Sequence, residues 1–187
     1  MFKLVAFIIM LHTTPGVILA AQDSAVSQSL PPQGLSGLVL RGEGLARYLV
    51  FEVYAARLYL PAGLSAERAL DAGTPRRLSL SYRRAIQRGD IERAAWETLA
   101  RQWSERALDK VRPMLDAMHG SMRDVREGDV YTLDYAPDQG STLRLNGEVL
   151  WQGGDARLAE MYFGIWLRDP PLSDELRLAL LGGAANP

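Results

Sequence analysis

A strand-like run at residues 42–60 (GEGLARYLVFEVYAARLYL) constrains the fold of this chain more than any other segment. The run is mostly apolar, yet it contains two arginines, Arg47 and Arg57, and three tyrosines. A guanidinium stays charged in proteins, so wherever it leaves water it needs a carboxylate, carbonyl oxygens or an anionic ligand. The fold must therefore supply partners for these arginines or keep them at a surface.

Composition limits the classes of partner. The chain has 187 residues, 48% of them hydrophobic and 23% charged, which predicts one domain with a sizeable core. Its formal net charge of −1 gives no overall attraction to nucleic acid or to an anionic membrane surface. Net charge does not exclude a local basic patch. The sequence contains no cysteine, which excludes disulfides and thiolate metal sites. We expect no cofactor, no metal and no nucleic-acid partner.

The first residues are typical of an export signal. Lys3 supplies the positive start, residues 4–10 the apolar core, and Ala20 and Ala21 the small-residue end. The apolar run stops well short of the roughly 20 residues that span a bilayer, so a retained anchor is the weaker alternative. We therefore predict a periplasmic or secreted protein without a stable membrane span after cleavage. The predicted parts are a signal peptide at 1–21, a flexible lead-in at 22–35, a single domain at 36–183 and a tail at 184–187.

Strand patterns occur in two blocks. Residues 37–41 and 46–60 predict a long hairpin with its bend at Glu43 and Gly44. The second arm is apolar on both faces, which predicts a mid-sheet strand covered on both sides. Residues 77–83 alternate with period two as a third strand. Residues 129–151 return to strand chemistry, with an Asn-Gly pair as the clearest hairpin signal in the chain.

Helical patterns follow each block of strands. Asp90 is predicted to cap a helix, and apolar residues recur at helical spacing over 91–118, where Ser104 and Pro113 favour two helices over one. Asp155 and Ser173 predict the caps of two later helices. This order of elements predicts an α+β fold, an antiparallel β-sheet with a layer of α-helices on one face.

Catalytic patterns are sparse. His119 is the one histidine beyond the predicted signal, and we interpret it as interacting with the dipole at the C-terminal end of a helix. Gly42-x-Gly44 lacks the third glycine and the following helix of a nucleotide loop. Trp96 and Trp103, with Met114 and Met118, fall on the apolar side of the helices, either as simple core or as the wall of a cavity for an elongated apolar ligand.

Several motifs in this order resemble the bacterial chalcone isomerase-like family over residues 37–182. They are the glycine pair followed by Arg47, then Val53-Tyr54 and Leu-Tyr-Leu, the VYTLDY and LRLNGEVL hairpin, Ile-Trp-Leu, and a Leu-Arg-x-x-Leu-Leu-Gly ending. The resemblance implies an antiparallel sheet with a layer of helices and a ligand cleft between them. In plant enzymes of this fold an arginine of the first hairpin stabilises an oxyanion, and in lipid-binding relatives an arginine and a strand tyrosine hold a fatty-acid carboxylate.

The resemblance assigns these ligand-binding roles to Arg47 and Tyr54. Seven residues separate the two, so on one unbroken strand they would face opposite sides, and convergence on one ligand would need a bulge. Arg41 or Arg57 remain alternatives for the cleft arginine. Trp96 is a further candidate for the cleft wall.

The residues depart from the enzymes of the family. The enzymes use an asparagine on a cleft helix, whereas the asparagines here are Asn146, in a turn, and Asn186, in the tail. The leading hypothesis is therefore a non-catalytic binder of a fatty acid or a similar amphipathic carboxylate. The alternatives are an isomerase or lyase acting on a phenolic or enolate-forming substrate, and a structural partner in an envelope complex.

Overall fold

Alternating burial along the strands shows which face of the sheet carries the core. In the second strand Tyr54, Ala56, Leu58 and Leu60 are buried, whereas the residues between them are partly or fully exposed. The third strand alternates in the same way, as its period-two sequence predicts. The helices pack on the buried face.

The computed structural model describes residues 35–182. Six antiparallel strands form one sheet in chain order: β1 Leu38–Tyr48, β2 Phe51–Pro61, β3 Arg76–Tyr82, β4 Val130–Ala136, β5 Gly140–Leu145 and β6 Glu148–Gly153. The helices are α1 Arg88–Gln102, α2 Glu105–Asp109 and α3 Arg112–Ser121 before β4, then α4 Ala156–Leu167 and α5 Asp174–Leu180 after β6, with a short 3₁₀ helix at Ala66–Arg68. The predicted α+β class and the layer of helices on one face are confirmed.

The outer face of the sheet is polar and open. Arg57 donates to Glu43 at 2.8 Å across β1 and β2, and Asp134 lies between Arg77 and Arg144, each 2.6 Å away. The expectation that β2 is covered on both sides was therefore wrong. Apolar composition alone does not show whether a second layer exists to cover a face.

The bend of the first hairpin was also predicted at the wrong place. The chain turns at Leu49 and Val50, so β1 runs through both Gly42 and Gly44. A β-carbon on Gly42 would lie 2.3 Å from the carbonyl oxygen of Ala179 in α5, and one on Gly44 would lie 2.8 Å from the β-carbon of the same residue. The two glycines therefore permit close packing of α5 on β1 instead of forming a turn.

The helical middle contains three helices where two were predicted. Pro113 lies in the first turn of α3, a position that proline favours, so it begins a helix and does not kink one. Gln87, and not Asp90, is the N-cap of α1, and Asp90 instead pairs with Arg93 within the first turn. Asp90 and Pro113 both lie near helix N-termini, as the sequence suggests, but each is inside the first turn of its helix and not at the position predicted for it.

Three local predictions are confirmed. The Asp155 side chain accepts a hydrogen bond from the backbone of Leu158 at 2.9 Å, and Ser173 caps α5 in the same way. Asn146 and Gly147 both have positive φ, the backbone expected for a two-residue hairpin.

The predicted signal peptide, the tail and all of the lead-in before residue 35 lie outside the described residues. Within residues 35–182 no helix is long and apolar enough to cross a membrane.

Candidate functional site

A cavity of about 600 Å³ lies between the sheet and the helices. Its floor consists of leucines from three strands, namely Leu78, Leu80, Leu133 and Leu143, and its helical side includes Ala94 of α1 and Ile165 of α4. The volume falls within the roughly 300–1,000 Å³ of small-molecule sites. The site is therefore mainly apolar and large enough for an elongated ligand.

Tyrosines form the polar part of the cavity wall. The rings of Tyr54 and Tyr82 lie 5.6 Å apart, and the ring of Tyr131 is 6.1 Å from that of Tyr82. The indole N–H of Trp166 donates to the Tyr54 hydroxyl at 2.9 Å, which holds that side chain against α4. The hydroxyl of Tyr162 lies 3.1 Å from Nε2 of His119.

Burial keeps these phenols protonated. It raises the pKa of Tyr54 to about 12, and it raises the pKa values of Tyr82 and Tyr162 well above that of a free tyrosine. At neutral pH the hydroxyls are neutral groups that can donate hydrogen bonds. They are not poised to act as general bases.

The mouth of the cavity carries the charged residues. Arg47, Arg84 and Arg93 line it together with Asp90 and Glu97. Arg93 pairs with Asp90 and Arg47 lies 3.1 Å from Glu175, whereas Arg84 forms no ion pair within residues 35–182. The three arginines outnumber the two lining carboxylates, so the mouth is suited to an anionic group on a ligand whose body lies in the apolar interior.

Arg47 and Tyr54 both line this cavity, but not by the predicted route. They lie on neighbouring strands, because the hairpin turn falls between them. Ala46 pairs with Tyr54 and Arg47 pairs with Glu52, so a bulge leaves Val53 as the extra residue. The prediction that Arg47 and Tyr54 share one strand was therefore wrong, although the β-bulge that it called for does occur between them.

The other two candidate residues lie elsewhere. Arg41 is near the opposite end of β1, where a β-carbon on Gly182 would lie 2.9 Å from its Nη1 atom. Trp96 does not line the cavity; it lines a separate groove, where its ring is edge-on to His119 and lies under the guanidinium of Arg112. Arg57, an alternative for the cleft arginine, pairs with Glu43 on the outer face. The structure brings none of the three to the cavity.

Sequence analysis missed several cavity residues. Tyr82 ends the alternating third strand, and Tyr162 and Trp166 lie one turn apart on α4. Only the gap that remains between sheet and helices distinguishes a cavity wall from a filled core.

His119 lies in the last turn of α3, as predicted, but burial keeps its imidazole neutral, so it brings no positive charge to the helix dipole. Its ring is 1% exposed, and burial lowers its pKa below the ordinary value. Its Nδ1 atom has no hydrogen-bond partner among the described residues. The side chain supports Tyr162 from behind the cavity wall.

We expect the stability of the protein to fall as pH decreases from 7 to 5. Because the folded pKa of His119 lies below the unfolded value, the unfolded state binds more protons in this window, and acid favours unfolding. The loss reaches about 1.4 kcal/mol for every unit by which folding lowers the pKa. Urea unfolding at several pH values should show this slope, and His119→Gln should flatten it. An unchanged slope in the variant would assign it to other groups.

The family model described as chalcone isomerase-like matches residues 20–182. The chain belongs to the chalcone isomerase-like family. No curated protein matches it significantly in sequence. The resemblance inferred from the sequence motifs is therefore confirmed at the level of the family.

A solved structure supports the fold of this chalcone isomerase-like protein. The crystal structure of a fatty-acid binding protein from Arabidopsis thaliana matches with a TM-score of 0.62, over 78% of this chain and 87% of that chain. The two sequences are 14% identical, so the match establishes a shared fold. Within residues 35–182 no cluster of three or more His, Asp or Glu side chains is arranged to hold a metal.

Proposed function

We propose that this chalcone isomerase-like protein is an exported, non-catalytic binder of a fatty acid or a similar amphipathic carboxylate. The observation that carries the proposal is an apolar cavity of about 600 Å³ with arginines at its mouth. Such a site can bury the acyl chain of an amphipathic acid in the apolar interior while its carboxylate pairs with an arginine at the mouth. The structural neighbour is itself a fatty-acid binding protein, which supports the same ligand class.

Arg47 is the proposed partner of the ligand carboxylate. Its Nη1 atom lies 3.1 Å from Oε1 of Glu175, and its side chain is 45% exposed. Glu175 is also exposed, so the ion pair between the two contributes little, and a ligand carboxylate can replace it at small cost. Tyr54 accepts a hydrogen bond from Trp166, and its own O–H remains as a donor toward the cavity.

The cavity offers little for the isomerase alternative. Asn146 bonds to the backbone of Val130 and to Asp129 at the β5–β6 turn, so it supplies no amide to the cavity. The tyrosines are held neutral by burial. Among the described residues no amide side chain lines the cavity, and its carboxylates, Asp90 and Glu97, lie among the arginines of the mouth, which favours binding over turnover.

Titration of the detergent-free protein with oleate tests the proposal. We expect one oleate per chain, and Arg47→Gln should weaken binding about tenfold, because a charge-assisted contact is lost. The matched control is Arg57→Gln, which alters an arginine of the same hairpin that faces outward. Oleyl alcohol should bind wild type and Arg47→Gln equally.

Two results would contradict the proposal. One is the absence of oleate binding at any concentration below micelle formation. The other is equal weakening by Arg47→Gln and Arg57→Gln. Catalysed cyclisation of hydroxychalcones above the spontaneous rate would favour the isomerase, and co-purification with one envelope protein without a bound lipid would favour the structural partner.

A further inference from the structure

An apolar hairpin tip projects into solvent beside the cavity mouth. We define the hairpin tip as residues 48–51, the turn that joins β1 to β2. Leu49 is 78% exposed and Val50 is 85% exposed, the highest values among the exposed large hydrophobic residues of the described chain. Tyr48 and Phe51 on either side are each about half exposed. The exposed apolar surface of Leu49, Val50 and Phe51 at a loop tip has an unfavourable contact with water that a partner would remove.

The backbone of the hairpin tip favours a small polar residue. Leu49 has φ of 55°, in the left-handed region that glycine or asparagine ordinarily occupies in a two-residue turn. A leucine here is both strained and exposed. Since neither property helps the folded state, the side chain is better explained by an interaction outside the chain.

Unpaired cations lie beside the hairpin tip. Arg83 and Arg84 follow β3, and the backbone N–H of Arg83 donates to the carbonyl of Val53 in β2 at 2.9 Å. The guanidinium of Arg84 lies 5.0 Å from the ring centre of Phe51. Within residues 35–182 neither arginine forms an ion pair, whereas the nearby Glu52 faces Arg47. The tip therefore has local positive charge in a chain whose net charge is −1.

The hairpin tip is continuous with the cavity. Tyr48, Leu49 and Phe51 line the cavity at its mouth as well as facing solvent. A ligand that crosses the mouth must pass these side chains. Any partner that binds the hairpin tip therefore also lies beside the opening through which a ligand enters the cavity.

We propose that the hairpin tip docks in the interface of an anionic lipid bilayer and connects the cavity to the membrane. Apolar side chains flanked by arginines are the combination that inserts among acyl chains while pairing with anionic headgroups. A protein partner is the less favoured occupant, because a four-residue tip is far smaller than the about 800 Å² that each side of a stable protein interface buries. The identity of the cargo rests on the proposed function, but docking itself does not.

Site-specific labelling tests the proposal directly. Because the sequence contains no cysteine, Val50→Cys introduces a unique site for an environment-sensitive NBD fluorophore. The matched control is Leu40→Cys, an exposed aliphatic position near the other end of the same hairpin. Both labels are carried on the full chain, so any contribution of residues 1–34 to vesicle binding is the same.

The vesicles contain equal parts of phosphatidylglycerol and phosphatidylcholine, with a nitroxide on some acyl chains. We expect the label at residue 50 to shift to the blue and to be quenched, and the label at residue 40 to do neither. Equal responses at both positions, or none at residue 50, would overturn the proposal. A change at residue 50 that depends on protein concentration without vesicles would assign the tip to a protein contact.

Two double variants separate the apolar and the charged contributions. Leu49→Asn with Val50→Asn should weaken vesicle binding at least about tenfold, and asparagine suits the backbone at residue 49. Val39→Asn with Leu40→Asn is the control and should change little. Arg83→Gln with Arg84→Gln should cost about fivefold per arginine on anionic vesicles and nothing on pure phosphatidylcholine. Equal effects of the two asparagine variants would overturn the proposal.

Oleate titration without vesicles keeps the two proposals distinguishable. Normal oleate binding together with an unquenched label at residue 50 would reject docking and leave the binding function intact. Quenching at residue 50 without oleate binding would retain docking and reject the proposed cargo.

Discussion

We expect Ala94→Trp to weaken oleate binding by roughly 5- to 150-fold without loss of stability. Ala94 lies on α1 and lines the cavity, so a large ring there occupies space that the acyl chain needs. A ligand forced into an overfilled site costs about 1–3 kcal/mol, which corresponds to that range of affinity. A cavity of about 600 Å³ has room for the ring, and added apolar contacts there leave the free energy of unfolding unchanged or higher.

Ala100→Trp is the matched control for this prediction. Ala100 lies on the same helix but is exposed and outside the cavity, so its substitution should leave binding unchanged. Calorimetric titration with oleate, with urea unfolding in parallel, gives both quantities. Undiminished binding by Ala94→Trp would show that the ligand lies elsewhere, and a large loss of stability would show that the ring is not accommodated.

Arg76→Ala is expected to lower the free energy of unfolding by about 3–5 kcal/mol. Arg76 is fully buried, and its guanidinium lies between the rings of Tyr135 and Phe163 at 4.5 and 4.8 Å. Its Nη1 atom donates to the carbonyls of Asp71 and Thr74 at 3.0 Å each. Truncation removes this packing and the hydrogen bond to the Thr74 carbonyl, whereas the Asp71 carbonyl still accepts from the backbone N–H of Thr74.

The charge of Arg76 itself opposes folding. Burial lowers its pKa to about 10, so the side chain remains protonated at neutral pH in a position that disfavours charge. Nε and Nη2 have no hydrogen-bond partner among the described residues. Arg76→Met, which keeps most of the volume and removes the charge, should therefore cost clearly less than Arg76→Ala.

Arg68→Ala provides the comparison. Arg68 is exposed and pairs with Asp71 in a surface ion pair, so its removal should change stability by less than about 0.5 kcal/mol. Urea unfolding of the three variants tests the series. A loss in Arg76→Ala as small as that in Arg68→Ala would contradict a supporting role for the buried guanidinium.

The same arginine illustrates what was visible in the sequence. Arg76 shares the buried face of β3 with Leu78, Leu80 and Tyr82, and period-two alternation extends back to it. The predicted strand began at residue 77, one residue later, so Arg76 was not assigned to the buried face. The aromatic rings that enclose it come from β4 and α4, which no local pattern connects to residue 76.

Local signals predicted the elements best. The Asn-Gly turn and the capping residues Asp155 and Ser173 were located correctly, since each acts through its own neighbouring backbone. The first hairpin was less predictable. Its turn at Leu49 and Val50 contains none of the usual turn residues, whereas the glycine pair that suggested a bend serves packing against α5.

The sequence by itself determined the α+β class and the order of strands and helices, because periodicity and turn chemistry are properties of neighbouring residues. It also determined the family, through motifs that resemble those of the chalcone isomerase-like proteins. Only the tertiary structure decided that Arg47 and Tyr54 line one cavity, that Arg41 and Trp96 do not, and that the hairpin tip is exposed. A side chain becomes buried, paired or exposed according to what packs against it, and those partners come from distant parts of the chain.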